Sequence, residues 1–560
     1  MCMPERIQGP GRHFVKTNCR HFQLLHFRKS PRTSPARHRQ QGLVCRAGPN
    51  NHTRHAVVVG GGWAGLGAAY AMLKAGIKVT VLDASQTPGG LSAGWRTAGG
   101  RSVEAGIKGF WYQYSNISAL VAELGMEDPF TKWTRSSFWA PDGLQVRSPI
   151  FQDQPRLPTP LGSFLYTSPY FTKLPLWDRL TALPLLGPLL EVDSSEEAYQ
   201  HYDQMSALEL FEKKGVSEKL LKDFLEPMLL VTLFAPASQL SAAAALAALY
   251  YFVLAHQADF DVRWCKGPVV ERLFKPLTAK IESMGGQILS GRRVSKVQSL
   301  GQTTGARLTV SSSQGQEEVV TAEAVVFAVG VKAMQGIVGS SPDLAACPEL
   351  VKVGRLSTVD VAAVRLWLDA RVQPETPSNV MAGFDEGVGA TFFDLNTLQD
   401  EYKQEAGSVV EVDYYNAACL LGMTDEQLIQ RTLHTYLAAC HPAYGLCQVQ
   451  DASVLRFRGA VTAFSPGSHQ NMPPTALSLP GIFMAGDWLA QGPGTHGAKG
   501  LSQEKAYVTG LQAGNQAATL LGCQLGVKVL SVEADEAHMK AAKTAVKQSR
   551  QILPQLPYTA

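Results

Sequence analysis

The stretch HAVVVGGGWAGLGAAYAMLKAGIKVTVLD, which runs from His55 to Asp83, decides the fold of this 560-residue chain. Its first apolar run, Ala56 to Val59, is short and rich in valine, which predicts a buried strand. Glycines then form the pattern G-x-G-x-x-G, and apolar residues recur at helical spacing as far as Gly76. A second apolar run, Lys78 to Leu82, predicts another strand that ends at Asp83. The stretch therefore predicts a βαβ unit.

Three glycines and one acid suggest what this unit binds. Gly60 permits a tight bend, Gly62 lets the backbone approach a pyrophosphate, and Gly65 lets the helix pack close to the strand. Ala64 lies at the start of the helix, whose N-terminal amides attract a diphosphate. The carboxylate of Asp83 can accept hydrogen bonds from ribose hydroxyls. We therefore expect a dinucleotide clamp; the alternative is an ordinary glycine-rich turn between a strand and a helix.

The composition is that of a globular protein, with 45% hydrophobic and 18% charged residues and enough length for two or more domains. The charge is unevenly spread, because residues 1–50 carry eight arginines and two lysines against one acid, Glu5. The rest of the chain has 41 basic and 46 acidic residues. This mildly acidic body indicates no nucleic-acid binding.

Residues 1–50 have the composition of an organelle transit peptide, rich in arginine and nearly free of acids. The sequence VCRA at Val44–Ala47 resembles a plastid processing site. We expect import into the chloroplast, with mitochondrial import or a disordered basic tail of a cytosolic protein as the alternatives.

Cysteines are few, and three of the nine, Cys2, Cys19 and Cys45, lie in this leader. No C-x-x-C pair or other metal-ligand spacing occurs. We expect a reducing compartment, no structural disulfide and no metal site.

Two apolar segments are too short or too interrupted to span a membrane, which takes about twenty apolar residues. Ala242 to Ala255 predicts a short helix that is apolar all round, and Leu174 to Leu190 is broken by three prolines. We expect the second segment to dip into one leaflet as the mouth of an apolar tunnel; the alternative is a loop that covers a core. The side chains expected in the lipid are Leu185, Leu186, Leu189 and Leu190.

Nucleotide-binding features occur early, in the middle and late in the chain. They predict an α/β fold with a discontinuous Rossmann-like domain and, between its pieces, a mixed α+β domain that faces substrate and membrane. The pieces of the first domain are residues 51–110, 257–345 and 475–525. The pieces of the second are residues 111–256 and 346–474, and residues 526–560 form a helical tail.

Three later motifs, together with the early clamp, resemble those of the FAD-dependent amine oxidase and carotenoid desaturase superfamily. They are GGQILSGRRVSKVQ from Gly285, GIFMAGDW from Gly481 and GLSQEKAYVTGLQAGNQAA from Gly500. The resemblance implies FAD as the cofactor. The residues that it implies in FAD binding are Gly90 and Leu91 after the early clamp, Val294 with its backbone at the adenine, and Gly486 and Asp487 at the pyrophosphate and ribitol.

Within this superfamily, phytoene and ζ-carotene desaturases are the most similar, on the stretch VEAGIKGFWYQYSN. The residues that fit their pattern are Glu104, Gly106, Phe110 and Asn116. Two positions depart from it: Leu91 stands where the family commonly has Arg or Lys, and Lys108 where desaturases often carry His. Lys108 is either a changed polar group near the flavin or a solvent-facing replacement.

The resemblance implies an FAD-dependent oxidoreductase that removes a hydride from a lipophilic polyene to flavin N5. Electrons then pass to a quinone or to oxygen. A related isomerase remains open, as do two alternatives: a flavin amine oxidase acting on a small soluble substrate, and a non-catalytic flavin- or carotenoid-binding membrane protein.

No Ser/His/Asp set and no paired carboxylates are legible in the sequence, so no catalytic group is assigned. The residues expected to line the substrate are Lys108, Trp111, Tyr112 and His496. Core packing is an equal alternative for the two aromatic residues, and a loop position without a chemical role is the alternative for His496.

Overall fold

The computed structural model describes residues 54–301, 303–524, 526–552 and 557–559. The predicted leader, residues 1–50, lies outside these ranges. Within them, no helix combines the length and the apolar character that crossing a membrane requires.

The predicted βαβ unit is the centre of a five-stranded parallel sheet. The strand His55–Val59 pairs with Lys78–Leu82 on one side and with Ala324–Phe327 on the other. The strands lie in the order Ile482–Met484, Ala324–Phe327, His55–Val59, Lys78–Leu82 and Gln287–Leu289. Early, middle and late parts of the chain thus meet in one sheet, and the carboxyl ends of its strands lie at one edge.

The first helix, Trp63–Lys74, packs against the long helix Gln503–Leu520 through small residues. A Cβ atom on Gly510 would lie 2.1 Å from the carbonyl oxygen of Ala64, and one on Gly514 would lie 2.6 Å from that of Ala68. The two backbones are therefore in direct contact, which explains the glycines and alanines of the late motif.

A second, seven-stranded sheet is mostly antiparallel. Its strands lie in the order Val449–Thr462, Thr358–Leu368, Val409–Tyr415, Gly389–Asp394, Ser378–Ala382, Ser136–Ala140 and Gly143–Arg147. Val409–Tyr415 is buried along its whole length. Alternate residues of this strand, such as Val412, join an apolar core on one face, so Glu411 and Asp413 point to the other face.

The remaining elements surround these two sheets. A three-stranded antiparallel sheet consists of Arg292–Ser299, Ala306–Ser312 and Glu317–Ala322. Two further antiparallel pairs are Gly94–Arg96 with Ser102–Glu104, which are close in sequence, and Gly109–Trp111 with Val262–Trp264, which are distant. Further α-helices are Ser115–Glu123, Leu161–Thr167, Leu176–Leu180, Leu186–Glu191, Glu196–Asp203, Ala207–Lys213, Glu226–Thr232, Ala242–Leu249, Lys275–Ser283, Val331–Gly339, Asp425–Arg431 and Ala537–Ile552.

The apolar segment 174–190 is only partly at the surface. Leu174, Leu185 and Leu189 are buried in the main core, so the expectation that Leu185 and Leu189 face lipid is wrong. The exposed apolar side chains here are Leu176 and Trp177, the latter with 79% of its surface accessible, and Leu183. Leu185 and Leu189 are four positions apart, so helical periodicity turns both toward the core. Amino-acid composition alone does not predict this orientation.

Candidate functional site

The glycines of the early motif have different surroundings. Gly60 has φ +108°, and a Cβ there would lie 2.3 Å from the carbonyl oxygen of Ala328; one on Gly65 would lie 1.8 Å from that of Gly60. At Gly62 the nearest atom to such a Cβ is 3.7 Å away. The first and third glycines thus permit the tight strand–helix packing. At Gly62 a Cβ would only be in ordinary van der Waals contact with the backbone of Gly89 and Gly90, which leaves room for the close backbone approach that a pyrophosphate makes.

Gly62 is also the N-cap of the first helix, and no side chain caps this end. The helix therefore presents N-terminal amides without a side-chain acceptor, together with the positive end of its dipole. This is the arrangement that binds phosphate groups, and it fits the diphosphate of FAD.

Asp83 ends the second strand and is held by the loop that it faces. One carboxylate oxygen accepts a hydrogen bond from the Gly61 amide at 2.6 Å, and the other accepts one from the Ser85 amide at 2.7 Å. The amide of Arg292 donates to the Asp83 carbonyl at 2.7 Å, which brings the strand that carries Val294 next to this acid. Each oxygen of Asp83 keeps a second lone pair for a ribose hydroxyl.

A cavity of about 370 Å³ lies beside the glycine loop. Of the predicted cofactor residues, it is lined by Gly62, Ala64, Gly90, Leu91, Gly486 and Asp487. Lys108 also lines it, together with Ser502 and Gln503 at the start of the long helix. Four separate sequence motifs therefore converge on one cavity. Gly60, Gly65, Asp83 and Val294 lie outside its lining.

Asp487 and Lys505 form an electrostatic pair at this cavity. Burial raises the pKa of Asp487 to about 6, against the charge of Lys505, which lowers it. Burial lowers the pKa of Lys505 to about 7, against the charge of Asp487. Lys505 is buried and donates to the carbonyl of Leu489 at 2.9 Å, so its position is fixed.

A second cavity of about 130 Å³ adjoins the first, and we call it the apolar cavity because most of its side chains are apolar. The polar residues Ser136, Ser378 and Thr391 also line it. Its apolar lining includes Trp111, Phe138, Met228, Phe260, Val262, Trp264, Val380 and Phe393. Both cavities are lined by Ile107, Lys108, Phe234, Tyr415, Leu501 and Gln503. Phe234 stacks on Tyr415 with ring centroids 4.2 Å apart and has φ +59°, a strained conformation for a bulky residue.

Two other predicted substrate residues lie away from both cavities. Tyr112 is 37% exposed and lies beside the ring of Trp133. The Nε2 of His496 lies 2.7 Å from the Leu530 carbonyl oxygen, and its Nδ1 accepts from the Ala498 amide at 3.1 Å. Both ring nitrogens of His496 are thus engaged by backbone groups, which favours the loop alternative.

The structure also contains a buried charged cluster behind the first cavity, which the sequence analysis does not predict. On the seven-stranded sheet, Arg365 forms an ion pair with Glu411 and lies 4.0 Å from Glu104. Asp413, two residues from Glu411, lines the cavity and accepts a hydrogen bond from the Ile107 amide at 2.9 Å. The signal for this carboxylate pair is the alternation Val-Glu-Val-Asp, because residues i and i+2 of a strand share a face.

Comparison with known proteins adds to this geometry. The sequence profile of the flavin-containing amine oxidoreductase family matches residues 63–513. The 15-cis-phytoene desaturase of Solanum lycopersicum is 25% identical over 441 residues, which are 78% of this chain and 73% of that protein. A probable zeta-carotene desaturase of Synechococcus elongatus is 23% identical over 454 residues, which are 78% of this chain and 93% of that protein.

Among solved structures, the cyclohexylamine oxidase of Brevibacterium oxydans is similar with a TM-score of 0.62 at 15% identity. The alignment covers 84% of this chain and 100% of the oxidase. A structural likeness at this identity shows the fold, and the predicted α/β FAD-binding fold is confirmed.

Proposed function

The chain belongs to the family of flavin-containing amine oxidoreductases, and on this premise we propose that it is a carotenoid desaturase-like enzyme acting on a lipophilic polyene. It is an FAD-dependent oxidoreductase. The observation that carries the finer proposal is the apolar cavity that adjoins the glycine-lined one. Of the described residues that line this apolar cavity, Lys108 alone has an amine group, and none has a carboxyl group.

This lining disfavours the flavin amine oxidase alternative. An alkylammonium ion entering the apolar cavity would meet a lysine and no carboxylate, and burial of an unpaired charge is costly. A neutral hydrocarbon brings no charge into this cavity and gains contact with several aromatic rings. Among the polar residues of the lining, Ser136 and Ser378 bond to each other, and Thr391 accepts a hydrogen bond from Tyr415.

FAD fits the larger cavity with the roles inferred from the motifs. Gly62 and Ala64 would hold the pyrophosphate with the helix amides, and Gly486 and Asp487 would hold the pyrophosphate and ribitol from the late motif. Asp83 would bind the ribose. When bound, FAD accepts a hydride; this chain's residues bind it, orient it and exclude water.

The small size of the apolar cavity limits how much of the substrate it holds. An apolar cavity of about 150 Å³ accommodates a molecule of the size of benzene, so about 130 Å³ receives one short segment of a polyene. The rest of the polyene would extend toward the surface of the protein. Reoxidation by a quinone or by oxygen completes the proposed cycle.

We propose that the segments 161–165 and 176–183 contact the membrane. Its exposed side chains are Leu161, Phe164, Leu165, Leu176, Trp177 and Leu183, and we call this set the apolar surface patch. Arg179 donates to the Ser168 hydroxyl at 2.7 Å, which joins the two segments. An enzyme whose substrate is dissolved in lipid needs a surface that contacts the membrane. Leucine together with tryptophan is typical of the membrane interface.

We place the enzyme in the plastid. The support is the basic leader and the name of the Solanum relative, a chloroplastic/chromoplastic protein. A fluorescent fusion of residues 1–50 that enters mitochondria or stays in the cytosol would overturn this localisation.

Expression of the full chain in carotenoid-producing cells tests the proposed reaction. We expect a pigment with more conjugated double bonds than in cells without the protein, or than in cells with a Gly62→Val variant. An unchanged pigment profile from a flavin-replete protein, across hosts that accumulate different polyenes, would contradict the proposal.

A further inference from the structure

Lys108 lines both cavities, and the proposed reaction assigns no chemical role to it. Of the residues that line both cavities, it is the one with an ionisable group that can act as a base near neutral pH. Lys108 therefore lies where the two cavities meet.

The hydrogen bonds of Lys108 leave one direction of its nitrogen free. Nζ donates to the carbonyl oxygens of Ala105 and Gly106, each at 2.8 Å. In the described part of the chain no carboxylate forms an ion pair with it within 4.0 Å. A neutral amine has two hydrogens and one lone pair. The two carbonyls take both hydrogens of the neutral amine, and no further hydrogen bond engages Nζ within the described residues.

The charges around Lys108 do not fix it as an ammonium ion. Burial lowers its pKa, against the carboxylates of Asp413, Glu104 and Glu411, which raise it. Burial also raises the pKa of Asp413 well above its usual range, and the neighbouring Glu411 raises it further. Glu411 and Glu104 already lie against Arg365. Burial thus opposes the charged forms of both Lys108 and Asp413, while Arg365 lies against the other two carboxylates.

We propose that Lys108 is the base that accepts the substrate proton during desaturation, an inference that rests on the proposed function. One carbon of the substrate loses a hydride to FAD, and the adjacent carbon gives its proton to the lone pair of Lys108 Nζ. The electron pair of that second C–H bond becomes the new π bond. Lys108 leaves the step as an ammonium ion, and its proton with the hydride supplies the two hydrogens that the quinone or oxygen acceptor takes up.

Three substitutions separate this role from an electrostatic or a structural one. Lys108→Met removes the base and the charge, Lys108→Arg keeps the charge but cannot be deprotonated, and Lys108→His restores a titratable base. We expect unchanged FAD content in all three. Polyene-dependent flavin reduction should fall at least about a hundredfold in the Met and Arg variants. The His variant should recover part of it, with a pH profile shifted to lower pH.

A second readout needs no substrate. Acetic anhydride acetylates neutral amines, so the yield at Lys108 against pH, followed by mass spectrometry of the FAD-loaded full chain, reports its titration. We expect Lys108 to titrate at lower pH than the exposed Lys296, the internal control.

The results distinguish the two proposals. Full turnover in Lys108→Arg, or acetylation of Lys108 with the pH dependence of Lys296, overturns the role as base and leaves the desaturase proposal intact. A wild-type enzyme that is reduced by no polyene overturns the desaturase proposal itself, whatever the titration of Lys108.

Discussion

At the scale of single residues, Gly62 and Gly65 differ in what a side chain would meet. At Gly62, which lines the cavity, a Cβ would be in ordinary contact with backbone atoms at 3.7 Å, whereas any Cβ at Gly65 meets backbone at 1.8 Å. We expect Gly62→Val to fold and to lack FAD, because its side chain occupies the pyrophosphate site. Gly65→Ala should lose stability as well. Flavin absorbance per protein and circular dichroism measure the two effects, and a yellow, flavin-replete Gly62→Val protein would contradict the assignment.

Glu504 makes stability depend on pH. It is buried and accepts hydrogen bonds from the Asn116 amide at 2.7 Å and the Ile117 amide at 3.1 Å, yet burial raises its pKa from 4.5 to about 7. A raised folded pKa means that the folded state binds the proton more tightly than the unfolded chain. Its contribution is fully present below about pH 4.5 and is lost as the pH rises through 7, a change of about 3 kcal/mol.

The substitution Glu504→Gln should flatten this dependence. A glutamine keeps an oxygen for the Asn116 amide and cannot ionise, so the fall in melting temperature between pH 5 and pH 8 should be smaller than in the wild type. Glu218→Gln is the matched control, since this exposed glutamate lies on a helix surface. Parallel pH profiles for wild type and Glu504→Gln would show that Glu504 ionises freely in the folded protein.

At the scale of elements, the sequence predicts structure formed by neighbouring residues, but it does not predict contacts between distant parts of the chain. The strand–helix–strand unit follows from residues adjacent in the chain, and a Cβ at Gly60 or Gly65 would meet backbone atoms, as a tight turn between strand and helix requires. The strand that carries Glu411 and Asp413 has an alternating pattern that fits a half-exposed strand equally well. Asp413 is covered by Gly106 and Ile107, and Glu411 pairs with Arg365. These partners come from distant parts of the chain, so no short window of sequence contains them together with the acids.

The exposed surface of the segment 174–190 likewise depends on contacts with distant parts of the chain. Its composition favours a lipid-facing element, but the fold buries Leu185 and Leu189 and adds Leu161 and Leu165 from a preceding helix to the exposed set. The apolar surface patch is therefore discontinuous in sequence.

At the scale of the whole molecule, the apolar surface patch predicts membrane attachment. We expect Leu176, Trp177 and Leu183, all changed to serine, to release the protein from liposomes. Each buried side chain contributes about 1.5 kcal/mol or more, so binding should fall more than about a hundredfold. FAD content should stay the same, since none of the three residues lines either cavity. Leu446→Ser is the matched control, because this leucine is 87% exposed outside the patch. Unchanged sedimentation of the triple variant with liposomes would place the contact elsewhere.

We propose that FAD bound in the glycine-lined cavity oxidises a neutral polyene held in the apolar cavity. The most direct measurement mixes the flavin-replete full chain anaerobically with polyenes in liposomes, or with a panel of alkylamines, and follows the flavin absorbance together with the products. We predict that a polyene bleaches the flavin and gains one double bond per flavin reduced, while the amines leave it oxidised. Bleaching by an amine, with every polyene returned unchanged, would contradict the account.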